Sequence, residues 1–245
     1  MKQNRQNKSH KGAGHRQRLR DRFLDTGLDG FQDYEVIELL LTLGTPRKDC
    51  KAAAKAALNR FKSLQGVLDA APAELRQVPG IGRINLFGLK LVPAVSRRYL
   101  QRHITGKSVL THSQALFDYL NHTIRDKKKE CFVAIYLDAK NRVIADETLF
   151  TGTVTASAVY PREVVEAALA HSAAAVIFAH NHPSGDPSPS SDDLAITQKL
   201  VKACGLMGIT VHEHLIIGAE GYFSFADNGH MARISAAVDA GESMG

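Results

Sequence analysis

The residues best suited to chemistry lie in the stretch AHNHPSGDPSPSSDDLA, residues 179–195. His180 and His182 are two positions apart, so we expect their side chains to project from one face of a strand that Pro183 ends. The loop that follows is long enough to return over the strand end and to deliver Asp193 in the first turn of the next helix. Two imidazoles and one carboxylate, with a fourth position left for water, are typical of a catalytic zinc site. The spacing therefore predicts one Zn²⁺ ion per chain, held by His180, His182 and Asp193.

The same residues also have a purely structural interpretation. Ser190-x-x-Asp193 is a capping-box pattern, and an acidic residue at a helix start is stabilising without any metal. Both interpretations remain open from the spacing alone.

A second histidine pair, His212 and His214, lies in the segment VHEHLIIG. The two-residue period of a strand predicts that both side chains face one side. No carboxylate follows this pair in register, so we interpret it as lining the site or the edge of the core. A supporting role beside the metal ligands is also open.

The surrounding pattern predicts an α/β domain over residues 107–229. Strand-like runs alternate with helical ones, which favours a two-layer or three-layer arrangement, and the turn Ala139-Lys140-Asn141 indicates a hairpin. Residues 230–245 are expected to form a frayed tail. The predicted elements are a helix around Ser113–His122, the strands CFVAIYLD and RVIADETLF, a helix opened by Pro161, the strand AAAVIFAHNH, a helix from Asp192 to Cys204 and the strand GITVHEHLIIG.

The first hundred residues have a different character. Residues 1–22 contain eight lysines and arginines against the single acidic residue Asp21, which predicts a flexible basic arm. The arm is either a solvated tail or a nucleic-acid contact. Residues 23–100 have a helical pattern, and polar residues from Gln101 to Ser108 suggest a linker.

The composition is that of a globular chain, with 44% hydrophobic and 23% charged residues. The longest apolar run, Ala173 to Ala179, is far shorter than the ~20 residues that cross a bilayer. The basic N-terminus lacks the apolar stretch of a signal peptide. Three separated cysteines without a CxxC pair disfavour both a disulfide framework and a cysteine zinc site. We therefore expect a cytoplasmic protein with no membrane partner.

The segment HNHPSGDPSPSSDD fits the JAMM (MPN+) metalloprotease pattern, in which His-x-His-Pro is followed at fixed spacing by Ser and Asp. Together with the HLIIG strand, it closely resembles the RadC (UPF0758) family over nearly the whole chain. The resemblance implies a JAMM/MPN-like (cytidine-deaminase-like) mixed sheet flanked by helices, after a small all-α domain. It implies that His180, His182 and Asp193 bind zinc and that Ser190 helps to hold the oxyanion or the bound water. The family's upstream glutamate falls on Glu163 of PREVVEAALAH.

The functional prediction is a zinc-dependent metallopeptidase-like hydrolase, in which zinc-activated water attacks an amide or isopeptide carbonyl of a protein or peptide substrate. A carboxylate within reach can take the water's proton and pass it to the leaving nitrogen, which would make Glu163 catalytic. Otherwise Glu163 only complements the helix dipole. Glu213, where many relatives carry Asp, is a conservative departure.

Two alternative functions remain. One is a non-enzymatic DNA-associated repair or recombination accessory protein with a structural metal, as the family's historic DNA-repair label implies. The other is a metal-dependent phosphodiesterase. A zinc nucleobase deaminase is disfavoured because no PCxxC accompanies the histidines.

The segment LRQVPGIGRINLFGL resembles a helix-hairpin-helix motif. In such a motif Gly80 and Gly82 free backbone N–H groups to meet a DNA phosphate, and Arg83 adds positive charge. Binding of this kind is blind to sequence and sensitive to salt, and the basic arm would add to it. Leu86 departs from the small residue usual in relatives. The alternative is a plain αα-corner used for protein contacts.

Overall fold

The computed structural model describes residues 13–109, 113–153, 159–219 and 221–240. The chain divides into two compact units, residues 1–96 and 97–245. Both units have buried apolar cores of their own, as independent domains require. Among the helices of the described ranges, none has the length and apolar character needed to cross a bilayer.

The first unit is built from helices, as the sequence pattern predicts. Its core is formed by branched and small apolar side chains such as Ile37, Leu41 and Ala54. Two helices pack closely because Gly88 has no side chain: a Cβ there would lie 1.9 Å from the carbonyl oxygen of Leu40. The helices are α1 Ala13–Thr26, α2 Asp33–Gly44, α3 Lys51–Phe61, α4 Leu64–Asp69, α5 Pro72–Leu75 and α6 Leu86–Ile104, of which the residues from Arg97 onward belong to the second unit.

The predicted flexible arm over residues 1–22 needs correction for residues 13–22, which form most of α1. Leu19 is buried, and Arg22 donates a hydrogen bond to Oε2 of Glu35 at 2.7 Å. The Arg22 guanidinium also lies 3.8 Å from the ring centroid of Phe31. The high arginine content of this segment is typical of a solvated arm, but the burial of Leu19 and the contacts of Arg22 stabilise it as a helix. Residues 1–12 lie outside the described residues.

The second unit is a five-stranded mixed sheet in the order β2-β1-β3-β4-β5. β1 pairs antiparallel with β2 and β3, β3 pairs parallel with β4, and β5 is antiparallel to β4. The parallel step requires a crossover, which α9 supplies. This confirms the predicted α/β fold with a mixed sheet and flanking helices. The elements are α7 Ser113–Ile124, β1 Cys131–Leu137, β2 Val143–Thr151, α8 Pro161–Ala170, β3 Ala175–Asn181, α9 Ser191–Leu206, β4 Thr210–Gly218, β5 Gly221–Ser224 and α10 His230–Asp239.

Helices cover both faces of this sheet. Every residue of β1 and β3 is buried, which explains why these strands are almost continuous apolar runs. Phe132 and Phe178 belong to the core shared with α8, α9 and α10, whereas Ile135 and Ile177 belong to the core shared with α7. His180 follows Phe178 by two residues, so the strand period puts it on the α9 face.

The predicted linker over residues 101–108 is structured instead. Helix α6 runs to Ile104, whose side chain is buried in the core shared with α7. The backbone N–H of Gly106 then donates to the carbonyl oxygen of Val143 at 2.8 Å. The polar composition of this segment predicted a linker, but backbone hydrogen bonds and the apolar side chain of Ile104 order it.

The predicted frayed tail over residues 230–245 also needs correction. Residues 230–239 form α10, and Met231 and Ile234 are buried in the core on the α9 face. Their spacing of three residues puts both side chains on one side of the helix. Residues 241–245 lie outside the described residues. The α/β unit therefore extends beyond the predicted end at residue 229.

Candidate metal centre

The three predicted ligands converge at the carboxyl end of β3. His180 Nε2 lies 3.0 Å from His182 Nε2 and 3.0 Å from Asp193 Oδ1. His182 Nε2 lies 3.4 Å from Asp193 Oδ2. Donor atoms bound at ~2.0–2.1 Å to a tetrahedral zinc ion are about 3.3 Å apart, so these separations fit a single ion. The sequence spacing correctly predicted that these side chains would form a group able to hold a metal.

The capping-box interpretation of Ser190 and Asp193 is also correct. Ser190 is the N-cap of α9, and its Oγ accepts a hydrogen bond from the Asp193 N–H at 3.2 Å. Its own N–H and hydroxyl donate to Asp193 Oδ2 at 2.8 and 2.6 Å. The cap and the cluster therefore use the same carboxylate. Asp193 Oδ2 is oriented by Ser190, while Oδ1 faces His180.

Asp193 is ionised in these surroundings. Burial raises the pKa of its carboxyl, but the contacts with His180 and His182 and the Ser190 hydroxyl bond outweigh burial and hold the pKa well below its ordinary value. The hydrogen bond to Asp193 in turn raises the pKa of His182, against the effect of burial. A buried carboxylate between two imidazoles attracts either protons or a metal cation, so the two compete for the cluster.

His182 is oriented by the loop that follows it. Its Nδ1 lies 2.8 Å from the carbonyl oxygen of Asp186. A carbonyl can only accept, so Nδ1 carries the hydrogen and Nε2 is turned to the cluster. The loop folds back at Gly185, which has a φ of +92° and lies so close to the chain that a Cβ would be 3.0 Å from that of Ala219. Glycine is favoured there for both reasons.

The prediction that His212 and His214 share a face is wrong. The β3–β4 register shifts between Val176 and Ile177, and an extra residue of this kind reverses the side-chain alternation. His212 consequently lies with Ile177 on the α7 face, where both line a cavity of about 320 Å³. Its Nε2 is 2.7 Å from Oδ1 of Asn141.

His214 lies on the opposite face, against the cluster. It is fully buried, stacked on Phe225 at a centroid distance of 4.9 Å and edge-on to Phe132 at 5.5 Å. Burial, followed by the neighbouring charge of His180, lowers its pKa well below the ordinary value. His214 Nε2 lies 2.8 Å from His180 Nδ1, and its Nδ1 lies 2.6 Å from Thr197 Oγ1. The supporting position that the sequence left open is therefore occupied by His214 and not by His212.

Glu163 lies in the first turn of α8, where the sequence places it, and its side chain is exposed. Within the described ranges, no hydrogen bond or ion pair joins it to His180, His182 or Asp193. Residues 154–158, which come shortly before α8, lie outside the described residues. The catalytic role of Glu163 therefore stays a prediction.

Asn181 is a site residue that the sequence reasoning missed. It is fully buried on the face opposite His180, and its Oδ1 accepts the N–H of Cys131 at 2.8 Å. Its Nδ2 donates to the carbonyl oxygens of Lys127 at 3.1 Å and Lys129 at 3.4 Å. These bonds fasten the end of β3 to the segment before β1. A polar residue inside an otherwise apolar strand was the available signal.

A cavity of about 390 Å³ opens beside His182, where it is bounded by Pro183. Its other described lining residues come from the segment before β1 and from the end of β2. Glu130 contributes to it and also helps to raise the pKa of His182. The lining residues are Lys128, Lys129, Glu130, Gly152, Thr153 and Pro183.

The predicted nucleic-acid residues lie together on the hairpin of the first unit. Arg83 is exposed, and Gly80 has a φ of +85°. The Gly82 N–H donates to Oδ1 of Asn85 at 2.7 Å, and Asn85 Nδ2 donates to the Gly80 carbonyl at 2.8 Å. A phosphate would have to compete with Asn85 for the Gly82 N–H. DNA binding through Gly80, Gly82 and Arg83 stays a prediction.

Two protein-family models match the chain. The RadC-like JAB domain matches residues 110–230, which include the sheet and the His180–His182–Asp193 cluster. The UPF0758 N-terminal domain matches residues 11–87 of the helical unit. The JAB-type domain and the buried cluster together fit the general class of JAMM-type metallohydrolases. With both units matched in the expected order, the chain belongs to the RadC (UPF0758) family.

Proposed function

We propose that this protein is a zinc-dependent metallopeptidase-like hydrolase that cleaves an amide or isopeptide bond in a protein or peptide. The observation that supports the proposal is the convergence of two imidazole nitrogens and one ionised carboxylate at 3.0–3.4 Å. The donor set of two histidines and one carboxylate is the one that catalytic zinc sites use with an open fourth position. Zinc bound there would supply a Lewis acid and lower the pKa of its water to about 7.

The chain's own residues have three tasks in this proposal. His180 and His182 present Nε2 atoms, and Asp193 supplies the negative charge that makes cation binding favourable. Glu163 carries a proton from the attacking water to the leaving nitrogen. Ser190 keeps Asp193 in place, and its hydroxyl assists in stabilising the oxyanion by moving its one hydrogen bond away from Asp193 Oδ2. The cavity beside Pro183 is the proposed location of the substrate.

The first test measures bound metal. Full-length protein purified without chelator should contain about one zinc per chain by inductively coupled plasma mass spectrometry. Asp193→Ala should lose most of this zinc because it removes the carboxylate of the three-residue cluster. Ser184→Ala, in the same loop but outside the cluster, is the matched control and should retain it. Wild-type protein that neither contains zinc nor takes it up on incubation would rule the proposal out.

The second test measures turnover. Zinc-loaded protein is incubated with a synthetic peptide library that includes lysine ε-amide linkages, and products are detected by mass spectrometry. Glu163→Gln should retain zinc but lose cleavage by at least about 100-fold, the usual contribution of general acid–base catalysis. Cleavage that survives this substitution would contradict the role given to Glu163. Nicking of plasmid DNA that His182→Ala abolishes would instead favour the phosphodiesterase alternative.

We also propose non-specific DNA association through the hairpin of the first unit. The exposure of Arg83 beside Gly80 and Gly82 supports it. Fluorescence anisotropy with a labelled duplex should show binding that weakens linearly in log affinity against log salt. Arg83→Ala should reduce the magnitude of the slope of log affinity against log salt by about the amount that one phosphate contact contributes. Equal binding and an equal slope for wild type and variant would refute this contact.

A further inference from the structure

The contacts behind His180 form an unbroken chain of hydrogen bonds. Thr197 Oγ1 lies 2.5 Å from the carbonyl oxygen of Asp193, one turn earlier in α9. Thr197 Oγ1 also lies 2.6 Å from His214 Nδ1, and His214 Nε2 lies 2.8 Å from His180 Nδ1. Thr197, His214 and His180 are all fully buried, so water does not take part in this chain.

The direction of each hydrogen bond follows from the Asp193 carbonyl oxygen, which can only accept. The Asp193 carbonyl has no hydrogen, so the hydroxyl of Thr197 must donate to it. A hydroxyl has one hydrogen, so Thr197 Oγ1 must then accept from His214 Nδ1–H. His214 is enclosed by Phe132 and Phe225 and is neutral. Its Nε2 is therefore a bare lone pair.

The same logic fixes His180. The bare Nε2 of His214 can only accept, so His180 Nδ1 carries the hydrogen and donates it. A neutral imidazole with a hydrogen on Nδ1 has its lone pair on Nε2. Nε2 is the atom that faces His182 and Asp193 at 3.0 Å. The bond from His182 Nδ1 to the Asp186 carbonyl gives His182 the same tautomer.

We propose that Thr197 and His214 are positioning residues that hold His180 as its Nδ1–H tautomer, with the Nε2 lone pair directed into the metal cluster. The consequence for metal affinity rests on the proposed function, but the hydrogen on His180 Nδ1 is a property of the metal-free protein. Because Thr197 also bonds the backbone of Asp193, one hydroxyl positions ligands from two different elements. Thr197 and His214 contact the proposed ligands and are themselves fully buried.

Two substitutions at position 197 separate the hydroxyl from the side-chain volume. Thr197→Val keeps the shape but removes the acceptor for His214 Nδ1–H, which favours transfer of that hydrogen to His214 Nε2. His180 would then accept at Nδ1 and carry its hydrogen on Nε2, where a metal would have to displace it. Thr197→Ser keeps the hydroxyl and loses only a methyl group. Far-UV circular dichroism first checks that both variants fold.

The position of the ring hydrogen is read by long-range ¹H–¹⁵N NMR on metal-free protein at alkaline pH. His180 in the wild type and in Thr197→Ser should show the hydrogen on Nδ1. Zinc affinity, measured by competition with a chromophoric chelator, should fall about 10–100-fold in Thr197→Val and stay close to wild type in Thr197→Ser.

Three results would overturn the inference. The first is a wild-type His180 with its hydrogen on Nε2. The second is a Thr197→Val variant with unchanged zinc affinity and an unchanged ¹⁵N pattern. The third is an equal loss of affinity in Thr197→Val and Thr197→Ser, which would assign the effect to packing. A wild-type protein that binds no zinc defeats the proposed function, whereas the NMR experiment still tests the hydrogen-bond chain.

Discussion

Replacing Asn181 with alanine should destabilise the second unit although it changes no proposed ligand. The amide side chain is fully buried and joins three backbone groups, the Cys131 N–H and the carbonyls of Lys127 and Lys129. Its two shorter bonds, at 2.8 and 3.1 Å, contribute about 1 kcal/mol each. The Cys131 N–H left unpaired in the interior costs about 1–2 kcal/mol more. The expected loss in the free energy of unfolding is therefore about 3–4 kcal/mol.

The loss is measured by urea and thermal unfolding of the metal-free, full-length protein. Near-UV circular dichroism includes the signal of Tyr119 and Tyr136, which are buried in the second unit. A loss of about 3 kcal/mol corresponds to a Tm lowered by about 6–12 °C for a unit of this size. Ser184→Ala, three residues further along at an exposed position, is the control and should stay within about 0.5 kcal/mol of the wild type.

The result that would refute this reasoning is a loss of less than about 1 kcal/mol for Asn181→Ala. Such a value would mean that water or a rearranged segment before β1 satisfies the three backbone groups. Hydrogen exchange of the Cys131 amide distinguishes the two outcomes. It should be slow in the wild type because Asn181 Oδ1 accepts this N–H, and fast in the variant.

Three further predictions concern other parts of the chain. Zinc at 100 times its Kd should raise the unfolding free energy by about 2.7 kcal/mol, and His182→Ala should abolish this gain in thermal scans with and without chelator. Asn85→Ala should destabilise the first unit by about 1–3 kcal/mol in urea titrations, because the Asn85 side chain makes two hydrogen bonds to the backbone of the hairpin. Arg83→Ala should leave the stability unchanged. Asp138 should titrate by NMR with a pKa of about 2, because hydrogen bonds from Arg142 lower it. Arg142→Gln should raise this pKa. An unchanged pKa would show that Arg142 is not the cause.

The alternation of apolar runs and helical periods was sufficient to predict an α/β unit and the order of its elements from α7 to β4. β1 and β3 could be placed because strands buried on both faces leave a continuous apolar signature. Segments ordered by only a few contacts were missed. From the sequence, residues 13–22 resemble a solvated basic arm, but Leu19 is buried and Arg22 pairs with Glu35 of α2. Residues 230–239 resemble a tail, but Met231 and Ile234 are buried.

For the site, local spacing by itself determined that His180, His182 and Asp193 could meet, because a strand end, a short loop and a helix start fix the reach of each side chain. The sequence alone could not determine which histidine of VHEHLIIG contacts His180. That was decided by a one-residue shift between β3 and β4, which arises from the pairing of strands distant in sequence. It is also the tertiary structure that joins Thr197, His214 and His180, because hydrogen bonds between separate elements leave no periodic trace in the sequence.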